Sequence, residues 1–290
     1  MSILSDGLQR ILASEYALNA SSFTPAQRLE LDQFAFNTRL IEISKQGRST
    51  LYHVPNRQSL IDFLALHKGL DENLLTENLP SRSRNIGLER NSKKGQSTHE
   101  SCYLLMKSWN PEAIWNNETT TFFPADLTAR FGVAAMRIGP IYAWRSNKPL
   151  LLVENQALFD RHDWLPEEFD GCLAYYAGQL SDVLIRWLSA QKRTNDVILF
   201  PDYDGVGLSN YVRLFEKLHP VSTLQFYWLP DWESKLVKFG NASIWLKTRI
   251  QFENAYEKLK AMNALTPELI RLAALSQHHG KALEQESIWL

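Results

Sequence analysis

The chain has 290 residues, 44% of them hydrophobic and 22% charged, with a net charge of −1. That is the composition of an ordinary soluble protein, long enough for one large domain or two to three small ones. The charge balance excludes a globally basic nucleic-acid binder but leaves room for a local basic patch. No run approaches the roughly 18–20 apolar residues of a membrane span. The first residues lack a basic region, a long apolar stretch and a cleavage site, so neither a secretory leader nor a membrane partner is expected. Cys102 and Cys172 are isolated, and CxxC and HExxH are both missing. This argues against a thiolate zinc site and suits a reducing, cytoplasmic setting.

Apolar spacing predicts helices over 3–15 and 25–38, the second opened by Thr24 as N-cap and Pro25 in its first turn. LIEIS (40–44), the turn QGRS (46–49) and TLYHV (50–54) read as a β-hairpin with a basic tip, followed by a helix around 57–67. Two helices, a two-stranded wing and a further helix is the order of a winged-helix module, assigned to residues 1–75. Its functional reading is DNA contact through Lys45, Arg48 and one helix. A small α/β dimerisation or packing unit fits the same residues equally well.

Residues 76–145 are expected to form a basic linker and a mixed α/β, CAP-like DNA-binding region. Within it, RSRNIGLERNSKK (82–94) sets Arg82, Arg84, Arg90, Lys93 and Lys94 against the single Glu89. The flanking Gly, Ser and Asn predict a loop or hairpin. Such a cluster can neutralise phosphates, and a solvated linker is the plain alternative. Further on, 122–124 and 126–131 suggest a turn and a short helix leading to a strand near 135–144.

From Pro149 onward, residues 146–290 read as a parallel α/β domain with C-terminal helices. PLLLVEN (149–155) is a short continuous apolar run ending in Glu154, the signature of a fully buried strand, and DVILF (196–200) reads as a second buried strand. A helix over 180–191, behind Ser181 as a cap, lies between them. A helix over 208–218 and a strand TLQFYWL (223–229) follow. Strand, helix, strand, helix, strand at these lengths implies a parallel sheet built by right-handed crossovers.

Glu154 lies at the end of the first strand, and Asp202 and Asp204 lie at the end of the second. Ligands of open α/β sheets bind outside that edge. Residues two apart in an extended segment face the same way, roughly 6.5–7 Å along the chain. Asp202 and Asp204 can therefore converge with Glu154 on one cation or two. Carboxylate oxygens without nearby His or Cys favour Mg²⁺ or Mn²⁺ over zinc. Gly205 and Gly207 would let the backbone turn sharply and a phosphate approach closely.

VEN (153–155) followed by DYDGVG (202–207) resembles a Toprim domain, whose pattern is one strand-end Glu and a later DxD. The variant is similar to the topoisomerase VI A/Spo11-like branch. Within that branch it most resembles the JetD (MksG) nucleases of Wadjet-type plasmid-defence systems, which share VEN and a C-terminal LEQE (283–286). The resemblance covers roughly 149–290. It implies a Toprim-like sheet behind a winged-helix region, and an Mg²⁺- or Mn²⁺-dependent endonuclease acting on double-stranded DNA. It also implies a homodimer and a condensin-like SMC ATPase complex as partner. Glu154, Asp202 and Asp204 would hold the metal, with Glu284 and Glu286 as added ligands or supporting contacts. A solvent-facing helix end is the alternative for those last two.

Three other readings stay open. A tyrosine transesterase, as in topoisomerase VI A, would need a nucleophile. Tyr103 is the best candidate and Tyr52 a poorer one, although a tyrosine beside two hydrophobic residues is expected in a core. A non-catalytic DNA-binding protein would leave the acidic cluster as a standing electrostatic cost. A haloacid-dehalogenase-like phosphatase also fits DYDGV, with Asp202 as nucleophile and Asp204 as general acid. That motif normally opens its fold, whereas here the strand bearing Glu154 precedes it.

Overall fold

The structure, a computed structural model, describes residues 3–67, 79–89, 91, 100–218 and 221–290. The chain divides into two compact units, residues 1–98 and 99–290.

The first unit contains α1 (Ile3–Ala13), β1 (Leu18–Asn19), α2 (Pro25–Thr38), β2 (Glu42–Gln46), β3 (Ser49–His53), α3 (Arg57–His67) and α4 (Ser81–Glu89). Thr24 opens α2 with a reciprocal capping box. Its Oγ1 accepts from the Gln27 amide, and Gln27 Oε1 accepts from the Thr24 amide. β2 and β3 form the expected antiparallel hairpin, turned by Gly47 at φ +61°. Lys45 and Arg48 are exposed at its tip. β1 pairs with the other side of β3, giving the order β1-β3-β2. The core of this unit is built on Leu8, Ile11, Leu31, Ile41, Tyr52 and Leu60. The Tyr52 hydroxyl is satisfied by Asp32 Oδ1 at 2.6 Å.

One expectation here needs correction. The stretch beginning at Arg82 is not a loop as far as residue 89, because α4 runs through it. Pro80 supplies the first accepting carbonyl, to the Arg84 amide. Arg, Ile, Leu and Glu are competent helix formers, and Gly87 alone does not break the run.

The second unit contains β4 (Cys102–Lys107), β5 (Trp115–Asn116), β6 (Thr121–Phe122), α5 (Pro124–Phe131), β7 (Ala134–Ile138), β8 (Leu150–Val153), α6 (Gln156–Asp160), β9 (Cys172–Tyr175) and α7 (Asp182–Ala190). β10 (Asp196–Phe200), α8 (Gly205–Leu218), β11 (Thr223–Phe226), α9 (Trp232–Phe239), α10 (Ala242–Ala261) and α11 (Pro267–His279) complete it. The fold is mixed α/β, with a six-stranded, mostly parallel sheet of order β11-β10-β8-β9-β4-β7 flanked by helices. β8, β9, β10 and β11 are mutually parallel, and β4 and β7 add two antiparallel pairings. All four residues of β8 are fully buried, so both faces of this strand are covered. Burying each such side chain contributes about 1.5–3 kcal/mol. Among the described residues, no helix is long and apolar enough to cross a membrane.

The expected boundary at 146 falls inside this unit. β4 and β7 come from the 76–145 region, and they extend the sheet instead of forming a separate module. The alternating burial of β7 (Ala134, Met136 and Ile138 inward) is what docks them there. β7 is also shorter than the expected 135–144, since Gly139–Pro140 ends it.

Gly205 and Gly207 act through close approach. A Cβ on Gly205 would lie 2.1 Å from the Thr248 carbonyl oxygen and 2.8 Å from the Phe252 nitrogen, both in α10. One on Gly207 would lie 2.0 Å from the Asp202 carbonyl oxygen. The neighbour that comes close to Gly205 is a helix backbone, not the sharp turn that the sequence suggested. Gly205→Ala forces α10 away from α8. A loss of about 1–3 kcal/mol in chemical denaturation is expected, and an unchanged midpoint would show that α10 yields freely.

Candidate functional site

The parallel register aligns the ends of three strands. Phe200 is level with Val153, and Val153 with Tyr175. The next residues, Glu154, Tyr176 and the Asp202–Asp204 segment, therefore leave the sheet at the same edge. Ser181 caps the helix that follows β9, its Oγ accepting from the Leu184 amide. Asn155 caps α6 in the same way.

Each carboxylate has its own hydrogen-bond donor. Glu154 Oε2 accepts from the Tyr176 hydroxyl at 3.1 Å. Asp202 Oδ1 accepts from the Gln285 amide at 2.8 Å. Asp204 is buried, and its Oδ1 accepts from the Gly207 amide at 2.8 Å, so it also caps α8. Glu154 and Asp202 each keep one oxygen without a hydrogen-bond partner among the described residues. No Lys or Arg among those residues forms an ion pair with any of the three.

The electrostatics follow from burial. Desolvation, with the charges of Asp204 and Glu286 adding to it, pushes Glu154 up to about 7 against the opposing Tyr176 hydrogen bond. Desolvation is again the main cause for Asp202, which reaches about 8 with Glu154, Asp204 and Glu286 reinforcing it and the Gln285 amide opposing. Asp204 is also raised by burial, opposed by the Gly207 and Val206 amides and reinforced by Glu284. Tyr176 is held well above its usual range by burial and by Glu154. The three carboxylates and the two glutamates of 284–286 thus feel one another's charge. As the side chains stand, no three His, Cys, Asp or Glu among the described residues form a ready-made metal cage. Each acid is turned to its own hydrogen-bond donor, which is how like charges reduce their repulsion. The donor set of hard, partly free carboxylate oxygens fits Mg²⁺ or Mn²⁺.

Glu284 and Glu286 are exposed, and the Asn155 side-chain amide donates to Glu286 Oε1. Between them, Gln285 is buried and makes the contacts that shape the site. Its amide binds Asp202, its Oε1 accepts from the Asn155 amide at 3.1 Å, and its Nε2 donates to the Phe200 carbonyl. Sequence reasoning singled out the two glutamates and missed Gln285, Asn155 and Tyr176. The LEQE string was the available signal for Gln285. Tyr176 gives none, because β9 is only four residues long and carries no strand signal of its own.

Arg48 and Arg82 are exposed and Arg84 is half-buried, all in the first unit. Arg90, Lys93 and Lys94 lie outside the described residues. Tyr103, expected in a core, is instead 71% exposed on β4, opposite Arg137. Tyr52 is the buried one. No family model matches the chain, and no curated protein matches it.

The raised carboxylates set a pH dependence. A carboxylate whose folded pKa exceeds its unfolded value stabilises the fold below the unfolded value, and that stability is lost as pH rises through the folded one. Without divalent metal, thermal stability should therefore decline from about pH 4 to about pH 8, the window between ordinary carboxylates and Asp202. Mg²⁺ or Mn²⁺ should raise the melting temperature at pH 8 and have little effect at pH 5. Metal-free Asp202→Asn should be more stable than wild type at pH 8 by roughly 1–4 kcal/mol, since each pKa unit is worth about 1.4 kcal/mol. A wild-type profile flat between pH 5 and 8, in scanning calorimetry, would contradict this electrostatic picture.

Proposed function

We propose that the chain is a Toprim-type, divalent-metal-dependent DNA nuclease whose first unit is a winged-helix-like DNA-binding module. The observation that carries this reading is the placing of three carboxylates, Asp204 buried and Glu154 and Asp202 half-buried, at the ends of two adjacent parallel strands with no Lys or Arg among the described residues paired to them. An acidic cluster of this kind is a large cost unless a cation joins it. The chain order, VEN before DYDGVG with LEQE at the end, supports the Toprim assignment. A divalent metal bound there would polarise a scissile phosphate and lower the pKa of a bound water.

The protein's own part is positioning. The Tyr176 hydroxyl fixes one Glu154 oxygen, and the Gln285 amide fixes one Asp202 oxygen. The remaining oxygen of each is left for a cation. Asp204 combines its charge with capping α8. The absence of an ion-paired base among the described residues matters too, because a lysine seated among these acids would compete with the cation.

In the first unit, the order helix, strand, helix, hairpin and the exposed Lys45 and Arg48 support DNA contact. A protein-contact role for the same unit is favoured by Leu29 and Phe36 on α2, which are 70% and 87% exposed. It fits the homodimer that the Toprim reading proposes. A condensin-like SMC complex that presents plasmid DNA remains part of the same proposal, resting on the resemblance alone.

The direct assay is cleavage of circular duplex DNA with Mg²⁺ or Mn²⁺, with and without SMC partners. Glu154→Gln and Asp202→Asn should each lose ~10-fold or more in rate, since losing even a supporting partner of a metal ligand costs ~10–100-fold. Tyr103→Phe should cut as wild type does. A covalent DNA–protein adduct lost in Tyr103→Phe would replace water with a tyrosine nucleophile. Equal cutting by all variants would remove the carboxylates from the chemistry.

A further inference from the structure

α8 starts at the carboxylate edge and packs along α10, meeting it where Gly205 touches the Thr248 carbonyl. Beside this contact the two helices leave a groove of about 410 Å³. Val212 and Ala255, both buried, form its floor. Its α10 wall is a polar stripe, Lys247, Gln251, Asn254 and Lys258, all exposed. The spacing i, i+4, i+7, i+11 puts these four on one helix face. Arg213 lies on the α8 side, its guanidinium held by Asp182 at 2.8 Å and by the Leu180 carbonyl.

The acids of α10 leave this stripe positive. Glu253 pairs with Arg249 at 3.2 Å, and Glu257 with Lys260 at 3.8 Å. Lys247 and Lys258 form no ion pair among the described residues. Two unneutralised ammonium groups at the ends of a row of amides make a surface for an anion with repeated charges. Eleven residues of helix span about 16 Å, and a DNA strand carries one phosphate per roughly 3.4 Å of axis, so the two lysines reach different phosphates. Ile250 is the one large apolar side chain on the groove among the described residues, with no aromatic anchor pocket of the kind protein interfaces rely on.

We propose that the α8–α10 groove holds the sugar–phosphate backbone of DNA where it leaves the carboxylate site. The inference rests on the nuclease reading and deepens it by naming where that substrate lies. The chain itself connects the two features, since Asp204 precedes Gly205, and Gly205 is the residue in contact with Thr248 beside Lys247.

The test is fluorescence anisotropy of a labelled 30-base-pair duplex across a salt series, with Ca²⁺ in place of Mg²⁺. Wild type is compared with the double variant Lys247→Gln/Lys258→Gln and with the charge-retaining Lys247→Arg/Lys258→Arg. Losing two phosphate contacts should weaken binding by ~10-fold or more and make the slope of log affinity against log salt shallower by about 1.8. The Arg pair should restore both. Wild-type binding with the same slope in the Gln variant would overturn the groove and leave the nuclease reading standing. No duplex binding by wild type, with capture of a labelled poly-glutamate peptide instead, would overturn both. A shallower slope without any metal-dependent cutting would keep the groove and remove the nuclease.

Discussion

The acidic edge of the sheet depends on a neutral side chain. Gln285 returns from the end of the chain to the point where the β8–β10 ladder stops, and fills the backbone positions left open there. It donates to the Phe200 carbonyl, accepts from the Asn155 amide, and through its own amide holds Asp202. Backbone groups left unpaired in such a buried place cost about 1–3 kcal/mol each. The surrounding tail is tied down by the same means. Tyr203 and Leu283 exchange backbone hydrogen bonds, as do Asn241 and Ala282. The Tyr203 hydroxyl, between the Tyr227 carbonyl and the Leu229 amide, secures the segment between the two aspartates. Asp202 and Asp204 are thus held from both sides by uncharged groups, and their repulsion is not spent on opening the loop.

This arrangement separates fixing a carboxylate from neutralising it. Hydrogen bonds from Tyr176, Gln285 and the α8 amides lower the carboxylate pKa values, yet desolvation and mutual charge outweigh them at all three acids. A salt bridge would have been the simpler way to stabilise the edge, and neither Lys nor Arg takes that place among the described residues. Asp204 has a structural reason to exist, as the cap of α8. Asp202 likewise satisfies the Gln285 amide, and Glu154 accepts only from the Tyr176 hydroxyl; the proposal of a cation rests on the second oxygen that Glu154 and Asp202 each keep without a hydrogen-bond partner among the described residues.

Much of this was legible in the chain. β8 is an unbroken apolar run of the kind a doubly covered strand tolerates, β10 is apolar from Val197 to Phe200, and the residues just beyond them are Glu154 and Asp202. Thr24–Pro25 and Ser181 marked helix starts that the structure places within a residue. What could not be read was long-range. β9 is only four residues long and ends at Tyr175, so its place in the sheet, and with it the position of Tyr176, was invisible. Gln285 lies between two glutamates that looked like the chemistry, while its side-chain bonds span some 85 to 130 positions. β4 and β7 carried no parallel-sheet signature because they enter antiparallel. Gly205 drew notice as a loop glycine, although its requirement comes from α10, more than forty residues later.

The central claim is that the edge built from Glu154, Asp202 and Asp204 binds a divalent cation. The most direct measurement is electron paramagnetic resonance of free Mn²⁺ titrated with protein at pH 8, for wild type, Glu154→Gln, Asp202→Asn and the cap-preserving Asp204→Asn. Saturable loss of the free-ion signal in wild type, with affinity at least ~10-fold weaker in each variant, is the expected result. Binding of equal strength in all four proteins, or none in wild type, would contradict it.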